Sequence, residues 1–437
     1  MRILVLGASG LIGRHVLAAL PAAGHVAIGA RRHRPASPAG GPDCGQAWRE
    51  LDFATLTGMD AWLPHLTGVD AVVNCVGILR EQRPGDYERL HHLAPAALFA
   101  ACEHAGIKRV IHLSALGSAS DAPTAYWRSK AAGERALARH SALDASIVRP
   151  SLVYAGDGAS SKLLLALATL PAVALPAAHS ARVQPVHIDD LCAALLALLA
   201  LPMAHSAQPS PPRELAAVGP RAISMAAYLA CLRGGLATGA AAHVLPLPMP
   251  LARLAARVAA LHPASAFTPD SLTMLAASAN GCNTASPAAI RSLLGGRALR
   301  NPATFAAPAQ TPAAVLSWAM PLATVSMAVL WLWTAWVSWF AWPHADSIAW
   351  LTACGIPAAW GGATLAAASL LDASIGGALL LRPRRWLWPL QLALVGGYSV
   401  AMTACLPEFW LHPFGPLSKN LPILALQLAM WRLDERK

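Results

Sequence analysis

Three polar side chains that can take part in proton transfer stand at the end of one apolar run and the start of the next helical segment. Ser114 closes residues 109–114, and Tyr126 and Lys130 lie four residues apart. That spacing places the phenol and the ammonium on the same face of a helix. A phenol is a poor acid–base at its usual pKa of about 10, and a nearby ammonium favours its ionised form. The pattern predicts Tyr126 as a general acid–base, with Ser114 bonding the substrate oxygen and orienting the tyrosine.

A glycine-rich turn near the N-terminus predicts a phosphate-binding part of the same site. The apolar residues 3–6 lead into the segment 7–13, Gly-Ala-Ser-Gly-Leu-Ile-Gly, and a helical stretch follows. Strand, glycine turn and helix in this order are typical of dinucleotide binding, because the backbone can approach a pyrophosphate and the helix N-terminus offers free N–H groups. An ordinary glycine turn is the alternative. The predicted cofactor-binding residues of this turn are Gly7, Ser9, Gly10, Leu11, Ile12 and Gly13.

Arginines follow the second predicted strand at the position where an NAD-binding fold places an acidic residue. Residues 25–29 form that strand, and Arg31 and Arg32 come directly after it. An Asp or Glu at this point binds the ribose 2′-hydroxyl of NAD, whereas a guanidinium suits a 2′-phosphate. The sequence therefore favours NADP(H) over NAD(H) as the cofactor. Arginine-rich loops are also common on ordinary solvated surfaces.

Apolar runs alternate with helical segments through the first part of the chain. Further predicted strands occupy residues 69–77, 109–114 and 145–150. Such alternation is typical of an α/β Rossmann fold, a doubly wound parallel sheet that binds ligands at the carboxyl ends of its strands. We predict this core over residues 1–150. A small helical substrate lobe is predicted over residues 151–300.

Taken together, these motifs resemble the short-chain dehydrogenase/reductase superfamily over approximately residues 1–300. The segments 149–154 and 184–190 resemble its extended or atypical branch, which includes epimerase-like enzymes and the NAD(P)H-binding accessory subunit of respiratory complex I. The resemblance implies that Tyr126 is the acid–base, that Lys130 also binds the nicotinamide ribose, and that Ser114 polarises the substrate. It further implies cofactor contacts from Asp52, Asn74 and Gly77.

The complex I relatives bind NADPH without turnover, so the motif leaves the catalytic role open. A non-catalytic NAD(P)H-binding assembly or sensor subunit of a membrane complex is the alternative function. A sugar-nucleotide epimerase or dehydratase is a third reading, and the Ala-rich, basic lobe does not favour sugars.

Composition narrows the function classes. The chain is 56% hydrophobic and only 13% charged, and its formal net charge is +11. Its arginines are scattered without the motifs of nucleic-acid binding, so we predict no nucleic-acid partner. The eight cysteines form no C-x-x-C pair, which predicts neither a disulfide scaffold nor a zinc site, and most are expected to be buried in a reducing compartment. His91 and His92 are predicted on the polar face of a helix with no third ligand, so no metal is expected.

The C-terminal quarter contains four apolar runs with very few charges, at residues 316–340, 361–381, 387–405 and 417–431. A helix needs about 20 apolar residues to cross a hydrocarbon core of about 30 Å, and the last run is short for this. Tryptophans gather near the ends of the runs, as in interfacial belts. We predict an all-α four-helix transmembrane bundle over residues 313–437, joined to the first domain by a Pro/Ala-rich linker over residues 301–312. A buried soluble bundle is the alternative.

Charged residues predict the orientation of this bundle. The basic residues at its loops and end are Arg382, Arg384, Arg385, Arg432, Arg436 and Lys437. Basic loops remain on the cytosolic side, so we expect a multi-pass protein of the cell (inner) membrane with a cytoplasmic N-terminal domain and C-terminus. The bundle resembles the DoxX-like membrane modules in span number, spacing and the segment 411–420. Asp372, an ionisable residue within a span, is either functional or hydrogen-bonded to a neighbouring helix.

These expectations combine into one hypothesis of function. The chain is expected to be a membrane-anchored, NADP(H)-dependent short-chain-type oxidoreductase. Its substrate is expected to be a carbonyl or hydroxyl of an apolar molecule, such as a lipid or a quinone. The expected partners are the dinucleotide cofactor and the lipid bilayer, with the apolar substrate and a membrane complex as further candidates.

Overall fold

The first strand is apolar on both of its faces because both faces are buried. In the computed structural model, Ile3 and Val5 pack into one hydrophobic core, and Leu4 and Leu6 pack into another. Parallel strands that are covered by helices on both sides need such continuous apolar runs. The structure describes residues 1–32, 47–202, 212–239, 242–261, 265 and 267–434.

A parallel sheet organises the N-terminal unit, which comprises Met1–Ala314. Its strands are β1 (Arg2–Leu6), β2 (Val26–Arg31), β3 (Ala47–Glu50), β4 (Ala71–Asn74), β5 (Arg109–Leu113), β6 (Asp144–Pro150) and β7 (Arg213–Ala217). They lie in the order β7-β6-β5-β4-β1-β2-β3, and every neighbouring pair is parallel. The chain order switches between β1 and β4, and ligands bind at the strand carboxyl ends beside such a switch. The predicted doubly wound Rossmann sheet is confirmed.

Helices cover both faces of this sheet. Those of the N-terminal unit are α1 (Leu11–Ala19), α2 (Met59–Leu66), α3 (Ala94–His104), α4 (Ala125–Ala138), α5 (Ala159–Thr169), α6 (Ile188–Ala200), α7 (Met225–Leu236), α8 (Met249–Ala259), α9 (Pro269–Ala277) and α10 (Ala288–Leu293). Side chains of α1 and α6 fill the core on the Ile3 side, and side chains of α2, α3 and α4 fill the core on the Leu4 side. This arrangement leaves the carboxyl ends of β1, β4 and β5 as the edge where a site can form.

A smaller lobe follows β6. Its short ribbons pair Val153–Tyr154 with Val186–His187, Arg182–Val183 with Ile223–Ser224, and Ala172–Leu175 with His243–Pro246. Tyr154, Tyr228 and Phe305 are buried in its core, where α5 and α7 pack together.

The segment 301–312 packs into this lobe core, although its composition predicts a linker. It contains the 3₁₀ turns Pro302–Thr304 and Pro308–Gln310, and Phe305 and Ala306 are buried. The ring of Phe305 stacks on Tyr154 with 5.0 Å between centroids. A segment rich in proline and alanine can be either a flexible linker or a packed turn. The packing of Phe305, which composition does not predict, shows that this segment is packed.

The C-terminal unit comprises Val315–Lys437. Its described residues contain five α-helices, the first of which begins before the boundary: α11 (Thr311–Trp336), α12 (His344–Ala353), α13 (Ala358–Leu381), α14 (Leu387–Cys405) and α15 (Asn420–Leu433). Among the described residues, two helical stretches are long and apolar enough to cross a membrane, Pro308–Ala341 and Ala358–Leu381. The predicted third run coincides with α14. The fourth is correctly predicted as short, since α15 has 14 residues, roughly 21 Å at 1.5 Å per residue.

The C-terminal unit also corrects the prediction for the cysteines. Cys354, after α12, forms a disulfide bond with Cys405 at the end of α14. The scattered spacing of the cysteines gave no sign of this pair, because the two residues are separated by 51 positions and are brought together only by helix packing. Cys102 and Cys192 are free and buried, as expected. Cys44, Arg436 and Lys437 lie outside the described residues.

Candidate active site

The glycine turn after β1 has no room for a side chain at Gly7 or at Gly13. Gly7 has φ +71°, and a Cβ at this position would lie 3.0 Å from the backbone of Cys75. A Cβ on Gly13 would overlap the carbonyl oxygen of Gly7. The Gly10 N–H donates to that same carbonyl at 2.9 Å. The turn therefore holds the N-terminus of α1 tightly against the end of β1.

The first turn of α1 presents free donors. Gly10 caps the helix without a side-chain hydrogen bond, and the first turn contains no acidic residue. The N–H groups of Leu11, Ile12 and Gly13 are thus open to an anion, and the helix dipole adds a partial positive charge. Ser9 is exposed beside them. This bare, glycine-lined helix start fits the pyrophosphate of a dinucleotide, as the sequence predicts.

The predicted 2′-phosphate residues lie at the carboxyl end of β2. The guanidinium carbon of Arg31 lies 4.3 Å from the centre of the Trp48 ring, a cation–π contact that fixes the side chain at this edge. Gly29 makes room for the indole, because a Cβ there would lie 2.6 Å from Trp48 Cζ3. Arg32 is exposed. Asp52 caps the 3₁₀ turn Phe53–Thr55 through a bond from the Ala54 N–H at 3.1 Å.

Lys130 anchors the centre of the site. Its ammonium donates to the carbonyl oxygen of Val76 after β4 and to that of Leu113 at the end of β5, both at 3.1 Å. A Cβ on Gly77 would lie 2.9 Å from the nitrogen. Burial lowers the pKa of Lys130 to about 8, and the nearby Cys75 and Glu134 act in the opposite direction. An ammonium has three donors, so one remains for a ligand hydroxyl.

Asn74 supports this anchor from inside the fold. It is fully buried at the end of β4, and its Oδ1 accepts from the Val76 N–H at 3.0 Å. Its amide nitrogen donates to Nδ1 of His112 at 3.2 Å. The side chain therefore holds the backbone N–H of Val76, and the carbonyl of the same residue accepts from Lys130. The cofactor contact predicted for Asn74 stays a prediction, and in the structure its side chain bonds to Val76 and His112.

Tyr126 lies one helical turn before Lys130, as the spacing predicts, but its pKa shifts in the unexpected direction. Burial and the neighbouring Tyr87 raise the pKa of Tyr126 above its ordinary value of 10.0. The prediction that the ammonium favours the phenolate is therefore wrong for this geometry, since the Lys130 ammonium is directed at the backbone carbonyls. The acid–base role of Tyr126 itself stays a prediction.

Two aromatic side chains, Tyr87 and His91, lie beside this phenol, and sequence reasoning assigned neither of them a role in the site. The ring of Tyr87 lies 6.2 Å from that of Tyr126 and 5.4 Å from that of His91, and His91 lies 5.7 Å from Tyr126. The Tyr87 hydroxyl donates to the carbonyl of Leu79 at 2.9 Å. The spacing of Tyr87 and His91, four residues apart, is the one sequence signal that links them.

His91 is buried, and its prediction as a polar-face histidine is wrong. It lies in the π-helical turn Glu88–Leu93, where Nε2 accepts from the Ile78 N–H at 3.1 Å. The proton is therefore on Nδ1, which donates to Ser129 Oγ at 2.8 Å, and Ser129 donates to the Tyr126 carbonyl at 2.8 Å. Burial, with the charge of Lys130, lowers the pKa of His91 to about 2. A neutral imidazole thus braces the helix turn that carries Tyr126.

Ser114 and an apolar cluster complete the site. Ser114 follows β5 directly, is buried, and has its Oγ 3.2 Å from Ser118 Oγ. Next to it begins the Trp127 cluster, in which Tyr126 packs with Trp127, Ala115, Ala119, Ala122, Met274, Ala277 and Cys282. Met274 and Ala277 come from α9, so the smaller lobe contributes apolar side chains beside the phenol. Together these residues form a protonated phenol, an anchored ammonium and an apolar wall at one edge of the sheet.

Comparison with known families follows this division of the chain. Residues 3–208 match the NAD dependent epimerase/dehydratase family, and residues 328–428 match the DoxX-like family. The first match covers strands β1 to β6, the glycine turn and the residues around Lys130, and it ends before β7. The second covers most of the C-terminal helices, which form the helical membrane module of a membrane protein.

Individual relatives match parts of the chain. The ceramide reductase of Caulobacter vibrioides is 28% identical over 198 residues, 44% of this chain and 59% of that protein. The mitochondrial NADH dehydrogenase (ubiquinone) 1 alpha subcomplex subunit 9 of Arabidopsis thaliana is 30% identical over 130 residues, 29% of this chain and 32% of that protein. The chain thus spans less than two thirds of the length of either relative.

A solved structure supports the fold of the N-terminal unit. A nucleoside-diphosphate-sugar epimerase from Staphylococcus aureus aligns with 70% of this chain and 99% of its own, with a TM-score of 0.53 and 17% identity. At this identity the likeness concerns the fold. Together with the family match over residues 3–208, this likeness shows that the N-terminal domain is an epimerase/SDR-like NAD(P)-dependent domain.

Proposed function

We propose that this chain, which joins an NAD-dependent epimerase/SDR-like domain to a DoxX-like membrane domain, is a membrane-anchored NADP(H)-dependent reductase of an apolar carbonyl compound. The observation that carries the proposal is the position of Tyr126. Its phenol, which is protonated near neutral pH as tyrosines ordinarily are, lies in an apolar cluster one helical turn from the anchored ammonium of Lys130. A reductase needs a proton donor at this place.

The chain's own residues supply the acid half of a reduction. NADPH, when bound, would supply the hydride for such a reduction. Tyr126 donates its phenolic proton to the carbonyl oxygen, so that the product is an alcohol, and Ser114 donates a hydrogen bond to the same oxygen. Lys130 uses its remaining donor to hold a ribose hydroxyl, while its other two donors stay on the carbonyls of Val76 and Leu113. Proton donation of this kind contributes roughly 10²–10⁴-fold to a rate.

The preference for NADP(H) rests on Arg31 and Arg32. Arg31 is held at the carboxyl end of β2 by Trp48, and Arg32 is exposed next to it. The 2′-phosphate of NADP(H) reaches this edge in a Rossmann fold. Two guanidinium groups favour that phosphate by charge and by their planar donor geometry.

The proposed substrate is a long-chain ketone or a quinone. The Trp127 cluster gives the site an apolar wall from both the sheet side and α9. The relative from Caulobacter vibrioides is named a ceramide reductase, which makes long-chain keto-lipids the first compounds to test. A sugar nucleotide would place several hydroxyls against this wall without partners, at a cost of about 1–3 kcal/mol for each unpaired group.

A non-catalytic NAD(P)H-binding subunit is the second candidate function. One observation favours it: the Lys130 ammonium already has two backbone partners, Val76 and Leu113, so it can serve the fold without serving catalysis. The match to the plant subunit 9 is consistent with such a role.

Turnover by the purified full-length protein distinguishes the two functions. The protein is purified in mild detergent, bound nucleotide is identified by mass spectrometry, and NADPH oxidation is followed with long-chain ketones, quinones and a sugar nucleotide. A reductase oxidises NADPH with an apolar carbonyl compound and releases the alcohol. Retained nucleotide with no oxidation across the whole panel contradicts the reductase and favours the scaffold.

We also propose that the chain is a cell (inner) membrane protein with a cytoplasmic N-terminal domain and C-terminus. Two observations agree on this orientation. The basic residues Arg382, Arg384 and Arg385 lie between α13 and α14, and basic loops remain cytosolic. Cys354 and Cys405 lie at the opposite ends of those helices, and a disulfide persists in an oxidising compartment.

A further inference from the structure

Helix α8 of the N-terminal unit has an outward face made of aliphatic side chains. Leu251 is 55% exposed, Leu254 58%, Val258 61% and Leu261, just after the helix, 84%. Their spacing of three, four and three residues puts them in one stripe along the helix. We call this stripe the α8 face. Single exposed leucines are ordinary, but a continuous stripe marks an interaction surface.

The opposite side of α8 is the one that packs against the N-terminal unit, so the exposed stripe is not part of that unit's core. Ala252 and Ala256 are fully buried and pack against Leu272 of α9. Alanines permit the close approach of the two helices, so α8 is already docked through its small residues. Its large apolar side chains therefore lie outside the core of the N-terminal unit and are available to a binding partner.

The charged side chains on α8 indicate what kind of partner the α8 face binds. Arg253 and Arg257 lie on α8 between its buried alanines and the α8 face, and both are exposed. Together with Met249 and Thr273 they line a cavity of about 180 Å³. The sequence from residue 222 to residue 269 contains no Asp or Glu. The acid that follows, Asp270, lies on α9, where its charge acts on Tyr87.

We propose that the α8 face lies in the interface of a bilayer that contains anionic phospholipid, with lipid phosphate held by Arg253 and Arg257. An apolar stripe flanked by arginines, without acids, is the composition of helices that lie in the membrane plane. The arginine stems can extend along the apolar surface and bring their guanidinium groups to the headgroups. A bilayer is always present for this protein, because its C-terminal domain is a membrane module. Each basic side chain near an anionic surface adds roughly fivefold to the binding constant.

The test uses the full-length protein in lipid nanodiscs, with one cysteine introduced on the α8 face and labelled with a polarity-sensitive fluorophore. Leu254→Cys reports on the face, and Leu163→Cys, on α5 and 40% exposed, is the matched control. The protein without an added cysteine gives the background from native thiols. Nanodiscs are prepared from phosphatidylcholine alone or with phosphatidylglycerol, each with and without a lipid-borne spin-label quencher.

Bilayer docking predicts that the label at residue 254 shifts to the blue and is quenched by the spin-labelled lipid, whereas the label at residue 163 is not. Phosphatidylglycerol should strengthen the quenching several-fold, and Arg253→Gln with Arg257→Gln should remove that gain. A blue shift without lipid quenching shows that protein covers the face and overturns the proposal. An unshifted label in both lipid mixtures also overturns it. Quenching that is equal in both mixtures and insensitive to the arginine substitutions overturns the assignment of lipid phosphate to Arg253 and Arg257.

Discussion

Gly77 lies against the tip of Lys130: a Cβ added to the glycine would be 2.9 Å from the ammonium nitrogen. The glycine follows β4, and the lysine lies on α4, so two distant segments meet at the carboxyl edge of the sheet. The contact fixes where the ammonium can be. It also makes the position of Lys130 sensitive to a single methyl group.

Gly77→Ala should weaken cofactor binding while leaving the fold intact. The added methyl displaces the end of a flexible side chain, which is a small cost to stability, but the ammonium loses its place between the carbonyls of Val76 and Leu113. Titration calorimetry with NADPH should show an affinity loss of roughly tenfold, about 1.4 kcal/mol. Gly58→Ala, where an added Cβ meets nothing within 4 Å, is the control and should bind normally. Unchanged affinity in Gly77→Ala would show that Lys130 does not contact the cofactor.

Tyr126→Phe should abolish proton donation and little else. Turnover of the verified substrate should fall by roughly 10²–10⁴-fold, while NADPH affinity stays within about twofold. Tyr87→Phe removes a hydroxyl from the adjacent ring, whose bond goes to the carbonyl of Leu79, and is the matched control. It should lower the melting temperature slightly and retain turnover. Equal activity of Tyr126→Phe and wild type rules out the tyrosine as acid.

Cofactor affinity should fall as the pH rises through about 8. Burial lowers the pKa of Lys130 to about 8, so the folded protein loses this charge well below the ordinary 10.5. The loss removes the hydrogen-bond donor and the charge that hold the ribose. Lys130→Met should bind NADPH weakly and without this pH dependence, and Lys108→Met, an exposed lysine, should behave as wild type. A flat wild-type profile between about pH 7 and pH 9 contradicts the assignment.

The lowered pKa of Lys130 has the opposite effect on the free energy of unfolding: as the pH rises, cofactor affinity falls but stability increases. The unfolded chain keeps the Lys130 proton up to about pH 10.5, so between about 8 and 10.5 the unfolded state binds more protons than the folded state. The contribution of this lysine to stability therefore rises with pH across that window. Comparing denaturation of wild type and Lys130→Met at several pH values separates this effect from cofactor binding.

The NADP(H) preference should depend on the two arginines at the carboxyl end of β2. Wild type should bind NADPH more tightly than NADH, and Arg31→Ala with Arg32→Ala should remove most of the difference by losing the phosphate partners. Arg291→Ala, an exposed arginine on α10, is the control for net charge. Equal wild-type affinities for the two nucleotides, measured by calorimetry, would contradict the preference.

Thiol labelling in intact cells tests the orientation. A cysteine introduced near Arg384 should be protected from an impermeant maleimide, and one near Asp346 should react, as judged by mass spectrometry of the labelled peptides. Cys354 and Cys405 should react only after reduction, because they are paired on the outer side. Labelling near Arg384 with protection near Asp346 would reverse the orientation.

The sequence by itself determines the local features of this protein. The apolar strand β1, the glycine turn, and the four-residue spacing of Tyr126 and Lys130 follow from the periodicity of strands and helices and from the conformational freedom of glycine. The composition of the C-terminal quarter likewise predicts apolar helices, because a span needs a long uncharged run. These features depend on residues that are neighbours in the chain.

Tertiary structure decides what depends on distant contacts. Tyr87 and His91 reach Tyr126 only because the turn Glu88–Leu93 packs against α4. Cys354 meets Cys405 only through helix packing. Burial and the neighbouring Tyr87 raise the pKa of Tyr126 although Lys130 shares its helix face, and burial belongs to the packed fold. Spacing brings the phenol and the ammonium onto one face, but the protonation state of Tyr126 depends on desolvation and on where Lys130 finds its hydrogen-bond partners.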